Sequence, residues 1–600
     1  MNWDLKPFFP KFAGTEMTAF KTKLEADTAQ LLKQATHLDT LDAENADAWE
    51  AVFLADEELS TRYSHLGSYL SCLASADTGN EDYKKEAAAF SKAAAEASKL
   101  NVELRRGLKD ATQQDFDAFV DRPALASAKF SFEYMRKDAQ FAMSPERETL
   151  TADLNVDGLD AWGRLYDTVS GRLTFEMEWP DGRSETIPIA QCRSIMEGPD
   201  RALRQAAFEC GNKAWETVED ITASALNAIA GTRHTLYNYR GINHFLDKAL
   251  FDANISRKTL DAMFEAIESE REIPRKILQV KADAIGQEGV AWYDLGAPLP
   301  FSDQGKLSWD VAKEMVQNAF ASAYPGLGTF TQMVYDKEWI EWEPRLNKRL
   351  GGFCTGTDLI RESRIYMTYN ESLGDVRTLA HEAGHAFHSW VMRELRPYQS
   401  GYSMTLAESA STFGEMILTE GLLQNPDISD VQKAITLDQE IAHGAIFLMD
   451  IPVRFEFERA MYEERKSGEL SVTQLKDLMA QTQRDVFGDV LLEGGEDPYF
   501  WASKLHFYIT GVSFYNFPYT FGFLLSRGLF AAFKEEGPAF LPRYEEFLRL
   551  TGSDTAEGVA MRSIGEDLEK PDFWSRAIRT LEEPLAQLEE LLPRTLPPSD

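Results

Sequence analysis

Residues 375–391 read DVRTLAHEAGHAFHSWV, and this stretch carries the strongest signal in the 600-residue chain. It places His381 and His385 four residues apart in an HExxH pattern. On an α-helix, positions i and i+4 lie on one face about 6 Å apart along the axis, so both imidazoles can bind one zinc ion. Glu382 follows the first histidine, and we expect it to act as general base on the attacking water and then as proton carrier to the leaving amine.

The residues around this motif predict a strand, a turn and then the helix. Residues 364–370 (RIYMTYN) are rich in β-branched and aromatic residues and are predicted to form a strand. The following NESLGD predicts a turn, and Asp375 is the expected N-cap of the helix. We expect Asp375 to support the metal ligands without binding the metal. His388, one turn beyond the ligand face, is expected to support the ligands or the helix packing.

The segment TLAESASTFGEMILTEGLL (405–423) offers acidic residues for a third zinc ligand. We predict that this segment forms one helix, on which Glu408, Ser411, Thr412 and Glu415 share a face through their i, i+3, i+4, i+7 spacing. Spacing alone fits an ordinary solvated face equally well. Together with HExxH, it favours Glu408 as the third ligand and Glu415 as a carboxylate that orients a ligand histidine.

A second cluster lies in HFYITGVSFYNFPYTFGFLL (506–525), which contains His506, Tyr508, Tyr515 and Tyr519. Dense aromatic residues in a helical protein usually form core. Amide hydrolysis, however, builds an oxyanion that tyrosine hydroxyls or a histidine N–H can stabilise. The segment therefore has two interpretations, core packing and transition-state stabilisation.

The overall composition argues against several other classes of protein. The chain has 62 Lys+Arg and 97 Asp+Glu, a net charge of −35, which repels phosphate backbones and anionic lipids, so no nucleic-acid or membrane partner is expected. Its four cysteines lack CxxC spacing and indicate neither a disulfide framework nor a thiolate metal site. Because the first residues lack a signal-peptide pattern and no long apolar run occurs, we expect a cytoplasmic location.

Helical periodicity dominates the rest of the chain, as in KKEAAAFSKAAAEASKLNVELRRGL (84–108). By contrast, RLTFEMEWPDGRSETIPIA (172–190) alternates apolar and polar residues around Pro-Asp-Gly and predicts a β-hairpin. We therefore expect a mostly α fold with two helical lobes. The predicted division is an N-terminal helical lobe with the hairpin, residues 1–195, and a catalytic domain, residues 196–600.

HEAGHAFH, AESASTFGE and HFY…FYNFPYTFG together resemble the thimet oligopeptidase and oligoendopeptidase F family of zinc metallopeptidases, and its oligoendopeptidase F branch in particular. The resemblance spans about residues 110–590. It implies a helical ellipsoid split by a deep channel with zinc on the channel floor. Such a channel admits unstructured peptides. The family pattern has a ligand Glu, a Ser three residues on and a second Glu seven residues on, and Glu408, Ser411 and Glu415 reproduce it.

The same resemblance implies substrate contacts. KRLGGFCTGT (348–357) is similar to the Gly-rich approach to the family's substrate-binding edge strand, which implies that residues 364–370 form an edge strand. The residues assigned to substrate binding are Gly351, Gly352, Tyr366, Thr368, Tyr369 and Tyr508.

The resemblance also implies the groups that stabilise the transition state. His506 carries over as a substrate or transition-state contact. Tyr515 matches a family tyrosine nine residues after that histidine, whereas Pro518 occupies the position twelve residues after it, with Tyr519 next to it. Both tyrosines therefore remain candidates for the oxyanion donor.

The predicted function is hydrolysis of internal bonds in short unstructured oligopeptides by an enzyme with one zinc ion per chain. A zinc carboxypeptidase is the first alternative, since helical HExxH exopeptidases also exist, and it would need a cationic anchor for the substrate carboxylate. A catalytically silent helical peptide-binding protein is the second. The intact set of His381, Glu382, His385 and Glu408 argues against this second alternative.

Overall fold

The computed structural model describes residues 1–301 and 306–596, and helices dominate this part of the chain. In chain order the helices are α1 (Thr15–Thr36), α2 (Ala46–Ala76), α3 (Glu81–Lys109), α4 (Gln113–Val120), α5 (Lys129–Gln140), α6 (Pro145–Asp157), α7 (Leu159–Arg172), α8 (Ala190–Met196), α9 (Arg201–Glu216), α10 (Glu219–Tyr239), α11 (Phe245–Ala253), α12 (Arg257–Ser269), α13 (Glu272–Ala284), α14 (Trp309–Ala323), α15 (Pro325–Asp336), α16 (Leu373–Met392), α17 (Pro397–Ser400), α18 (Met404–Ala407), α19 (Ser411–Gln424), α20 (Asp430–Ala445), α21 (Ile451–Arg465), α22 (Val472–Phe487), α23 (Phe500–Ser503), α24 (Phe517–Glu536), α25 (Leu541–Leu550), α26 (Ala556–Ser563), α27 (Pro571–Arg579) and α28 (Glu582–Thr595). The strands are β1 (Thr174–Glu178), β2 (Ser184–Pro188), β3 (Ile340–Glu341), β4 (Phe353–Thr357) and β5 (Glu362–Tyr366). The predicted mostly α fold is confirmed. Among the described residues, no helix combines the length and apolar character that crossing a bilayer would require.

The chain forms two compact units, each built from stretches far apart in sequence. The first unit comprises the described residues within Met1–Ala142, Gly305–Asn425 and Leu529–Asp567, and the second those within Met143–Gln304, Pro426–Gly528 and Leu568–Asp600. Neither unit coincides with the predicted division between residues 195 and 196. Helices join a unit by burying their apolar faces together, and this packing does not follow chain order.

The predicted hairpin at 172–190 is confirmed in the second unit. Strands β1 and β2 pair antiparallel, with Phe175 opposite Ile187. Gly182 supplies the positive φ of +85° that the connecting turn requires. Phe175, Met177 and Ile187 are buried and pack with residues of α9, so the apolar side of the alternation forms a small core of its own.

The second sheet, in the first unit, has the strand order β3-β5-β4. β5 pairs antiparallel with β4 and parallel with β3, so it is the central strand. The prediction of an edge strand at 364–370 is therefore wrong, because the strand lies in the centre of the sheet. It also ends at Tyr366, earlier than predicted. Ile365, Tyr366 and Met367 are all buried, and because their side chains alternate, both faces of the sheet are covered here. An apolar, β-branched run does not reveal which strands flank it. An edge of this sheet is β4.

Candidate functional site

Helix α16 carries the HExxH motif, and a capping box sets its first turn. Ser372 is the N-cap: its hydroxyl accepts a hydrogen bond from the Asp375 backbone N–H at 3.1 Å, and the Asp375 carboxylate accepts from the Ser372 N–H at 3.1 Å. The same carboxylate accepts from the Asn370 N–H at 2.9 Å. The prediction of Asp375 as N-cap is thus wrong by three residues. Its carboxylate serves the start of the helix and does not support the metal ligands.

A close contact at Gly384 brings the third ligand to this helix. The predicted continuous helix over 405–423 is interrupted, since α18 ends at Ala407 and α19 begins at Ser411. A Cβ on Gly384 would lie 2.4 Å from the carbonyl oxygen of Ala410 and 2.6 Å from Cα of Ser411, so only glycine permits this approach. The turn between α18 and α19 therefore packs directly on the helix between the two histidines.

The three predicted ligands form one cluster. Oε2 of Glu408 lies 3.4 Å from Nε2 of His381 and 3.6 Å from Nε2 of His385, and one ligand atom from each residue lies within 4.8 Å of the others. The hydroxyl of Ser411 donates to the same Glu408 oxygen at 2.7 Å and orients the carboxylate. Two imidazole nitrogens and one carboxylate oxygen form a donor set that suits zinc.

Glu415 and Arg377 orient the first histidine. Nδ1 of His381 donates to Oε1 of Glu415 at 2.5 Å, and Oε2 of Glu415 accepts from Nε of Arg377 at 2.5 Å. Burial acts to lower the pKa of His381, but the hydrogen bond to Glu415 and the other carboxylates raise it to about 9. With Nδ1 held by Glu415, Nε2 is the nitrogen that faces the ligand cluster. Arg377 was not predicted from the sequence, although it lies four residues before His381 and therefore on the same face of the helix.

Glu382 supplies the test of whether a cation fits this cluster. Its side chain is buried, and its Oε2 has no hydrogen-bond partner among the described residues. Burial raises the pKa of Glu382 to about 7, with His381 lowering it and the two neighbouring glutamates adding to the rise. Burial lowers the pKa of His385, which favours the neutral imidazole that a metal ligand requires. A buried carboxylate oxygen left unpaired beside an N,N,O donor set fits a zinc centre.

His388 lies away from the cluster. It is fully buried, its Nε2 lies 3.2 Å from the carbonyl of Leu548 and 3.0 Å from the hydroxyl of Thr551, and its ring stacks on Tyr402. The side chain therefore joins α16 to the end of α25. Of the two roles expected for His388, the structure supports helix packing.

Three tyrosines predicted to bind substrate are buried instead. The hydroxyl of Tyr366 donates to backbone carbonyls of Ser75 and Arg349, and that of Tyr369 to the carbonyl of Leu307 at 2.7 Å. Tyr508 is also buried. Its ring stacks on Tyr166, with centroids 3.7 Å apart. These predictions are corrected: the three aromatic rings fill the cores, and backbone carbonyls satisfy the hydroxyls of Tyr366 and Tyr369. Thr368, half-buried, follows the end of β5.

The Gly-rich segment before β4 lies beside Glu382. Gly351 has a φ of +93°, and a Cβ on Gly352 would lie 3.2 Å from Oε1 of Glu382. The N–H groups of Ile365 and Met367 donate to the carbonyls of Trp339 and Glu341, on the side of β5 that faces β3. By strand alternation, Phe353 and Thr355 are the β4 residues whose backbone groups form hydrogen bonds with β5. The backbone N–H and carbonyl groups of Cys354 and Gly356 point away from β5.

The His506 cluster belongs to the second unit. Nδ1 of His506 lies 2.6 Å from Oδ1 of Asn516, its ring meets Tyr515 edge to face at 5.0 Å, and the hydroxyls of Tyr515 and Tyr519 are 2.7 Å apart. Burial lowers the pKa of His506; Asn516 opposes this, while nearby cations add to it. The structure thus brings three of the predicted transition-state groups together, whereas Asn516 was not anticipated.

Two family models match the chain. One, described as peptidase family M3, matches residues 194–580, and one described as oligopeptidase F matches residues 108–175. The first match begins beside the predicted domain boundary, although the compact units do not divide there. The family indicated by the motifs is confirmed.

Relatives and solved structures agree with this family. Oligopeptidase PepF of Bacillus subtilis is 23% identical over 563 residues, covering 92% of this chain and 82% of the relative. An oligoendopeptidase F homolog of Lactococcus lactis is 28% identical over 408 residues, 66% of each chain. A solved structure of a Chlamydophila abortus protein has a TM-score of 0.85 at 20% identity and covers 98% of both chains. Oligoendopeptidase F from Enterococcus faecium has a TM-score of 0.68 at 21% identity, covering 96% of this chain and 99% of its own. At these identities, the structural likeness establishes a shared fold.

Proposed function

This chain belongs to peptidase family M3 and is a metallopeptidase, and from that premise we propose that it is a zinc endopeptidase that cleaves internal bonds of short, unstructured oligopeptides. The names of its relatives, oligopeptidase and oligoendopeptidase, support this substrate class. The observation that carries the proposal is the cluster of His381, His385 and Glu408 beside the unpaired, buried oxygen of Glu382.

His381, His385 and Glu408 would hold the zinc ion. When bound there, zinc supplies Lewis-acid polarisation of the scissile carbonyl and eases deprotonation of water. Glu415 accepts a hydrogen bond from Nδ1 of His381 and so holds the proton on that nitrogen, which leaves Nε2 to bind the metal. Glu382 accepts the proton of the attacking water at its buried oxygen and returns it to the leaving amine.

The peptide backbone would bind by strand addition to β4. Its outward backbone groups include those of Cys354 and Gly356, but the carbonyl of Gly356 accepts from the Ser68 hydroxyl at 2.9 Å. The end of β4 near Gly352 and Cys354 is therefore the better platform, and it lies next to Glu382. This assigns to β4 the role expected of residues 364–370.

His506, Tyr515 and Tyr519 would contact the substrate. The two tyrosine hydroxyls carry two protons, and one of these is used in the hydrogen bond between them. One tyrosine of this pair would donate to the oxyanion, and both remain candidates for that role.

The test uses an internally quenched peptide blocked at both termini, because an obligate carboxypeptidase needs a free C-terminus. We expect the purified protein to contain one zinc per chain and to cleave this peptide, to lose cleavage with a chelator and to regain it with zinc. Failure to take up zinc would contradict the metal centre. Cleavage confined to peptides with a free C-terminus would instead support the carboxypeptidase alternative.

A further inference from the structure

A π-helical turn lies beside the His506 cluster in the second unit. Residues Ile446–Asp450 form this turn between α20 and α21. Asp450 pairs with Arg454 one turn later, and the carbonyl of Phe447 accepts from the hydroxyl of Thr520 at 2.6 Å. Thr520 is adjacent to Tyr519 in α24. π-turns are rare and often accompany functional sites, and this one is linked to both ends of the cluster.

Arg454 determines which way the Asn516 amide faces. Nη1 of Arg454 lies 3.2 Å from Oδ1 of Asn516, and the guanidinium can only donate, so the amide atom facing it must be the oxygen. Nδ1 of His506 lies 2.6 Å from the same oxygen and must therefore carry a proton. Arg454 also lies 3.5 Å from Nδ1, too far to compete with this bond. In the neutral ring, Nε2 is then left with a lone pair.

We propose that Arg454 is a positioning residue that holds His506, through Asn516, in the Nδ1–H tautomer, so that Nε2 accepts a hydrogen bond from a backbone N–H of the substrate peptide. The inference rests on the proposed function and deepens it. Burial, together with Lys504 and Arg454, favours the neutral ring by lowering the pKa of His506, although Asn516 acts in the opposite direction. A neutral ring of this tautomer cannot donate from Nε2, so oxyanion stabilisation belongs to the tyrosine pair.

The loop between His506 and Tyr515 is fixed by two further buried charges. Glu458 of α21 accepts from the backbone N–H of Phe514 at 2.9 Å, and Phe514 has a positive φ of +54°. A non-glycine residue in this conformation needs support from its surroundings. Arg233 of α10 donates to the backbone carbonyls of Ile509, Thr510 and Val512. The same helix thus holds the loop through Glu458 and the histidine through Arg454.

Two variants and one matched control test the tautomer. Arg454→Met removes the donor to Asn516, whereas Asn516→Leu removes the acceptor and leaves the Arg454–Asp450 pair in place. Arg459→Met is the control, since Arg459 lies on the same helix with an exposed side chain paired to Glu456.

Nitrogen-15 NMR of histidine-labelled protein measures which ring nitrogen is protonated. We expect Nδ1–H for His506 in wild type and the control, and a mixture or Nε2–H in the variants. Nε2–H in wild type, or unchanged Nδ1–H in both folded variants, would overturn the proposal.

Kinetics with the doubly blocked peptide separates positioning from general loss of structure. Because the Nε2 contact is made in both the ground state and the transition state, we expect KM to rise about tenfold in Arg454→Met and Asn516→Leu with kcat little changed. Tyr515→Phe should instead lower kcat if that hydroxyl is the oxyanion donor. Wild-type kinetics of His506→Ala would overturn the substrate contact while leaving the zinc-dependent peptidase intact. Absence of cleavage by zinc-loaded wild type would contradict the proposed function itself.

Discussion

The zinc cluster and the His506 cluster are built in contrasting ways. The three proposed zinc ligands, His381, His385 and Glu408, lie within residues 381–408, and the two histidines are aligned by one turn of α16. The His506 cluster lies within residues 505–519, but its geometry depends on Arg233, Arg454 and Glu458 from α10 and α21. The first site is specified mainly by local helix geometry and the second by buried charges from distant parts of the chain.

This difference predicts different kinds of fragility. The partners that orient the zinc cluster lie close to it in sequence: α16 aligns the two histidines, and the Glu415–Arg377 pair orients His381. A loop held by buried charged groups depends on every partner, because an unpaired buried charge is costly. Replacing a reactive group of the zinc cluster should therefore abolish activity and leave the structure intact. Replacing a buried charged partner of the His506 cluster should instead alter the geometry of that cluster or its response to pH.

The largest effect is expected for Glu382→Gln in the first region. The amide cannot take up the proton of the attacking water, so kcat/KM for the blocked peptide should fall at least about 100-fold. Zinc content should stay that of wild type, because Glu382 is not among the three ligands. Glu394→Gln, an exposed residue just after α16, is the control and should keep full activity. Near wild-type turnover of Glu382→Gln would contradict its assignment as general base.

A smaller effect is expected for Gly384→Ala, which tests the one close contact that the zinc cluster needs. The new methyl group would lie 2.4 Å from the carbonyl oxygen of Ala410 and push the turn with Glu408 away. Thermal unfolding should show a loss of about 1–3 kcal/mol, and a competing chelator should remove zinc more readily. Gly401→Ala is the matched control, because nothing lies within 4 Å of a Cβ there. Equal behaviour of the two variants would show that the contact is dispensable.

The smallest effect is expected for Glu458→Gln in the second region. Burial raises the pKa of Glu458 to about 7, while the Phe514 N–H and Arg233 act to lower it. Glutamate in an unfolded chain titrates near about pH 4.3, so this group's stabilisation is present below that pH and is lost as the pH rises through about 7. Glutamine keeps an acceptor for Phe514 but does not titrate.

The midpoint of thermal unfolding, measured from pH 5 to pH 8, checks this prediction. Wild type should lose stability relative to Glu458→Gln over that range, by an amount on the order of 1 kcal/mol. Glu464→Gln, an exposed position on the same helix, should follow wild type. A constant difference between wild type and Glu458→Gln across the range would contradict a raised pKa.

The predictions from sequence succeeded where the interactions are local. The β-hairpin at 172–190 follows from its alternation and turn residues, and the metal cluster from the spacing of His381 and His385. They failed by a few residues where two local solutions compete, as at the start of α16, where Ser372 rather than Asp375 is the N-cap. The interruption at Glu408 was missed because the segment has helical composition on both sides, whereas the turn packs against Gly384, a contact that local sequence does not show.

By itself, the sequence determined the mostly helical fold, the HExxH helix and the chemical types of the groups that serve it, since these depend on spacing and residue chemistry. Tertiary structure alone decided that β5 is a central strand, that Tyr366, Tyr369 and Tyr508 are buried, and that Arg454 reaches Asn516. Burial and pairing of this kind arise between residues tens to hundreds of positions apart. This burial and pairing depend on which apolar faces pack together, and a local sequence pattern does not determine that packing.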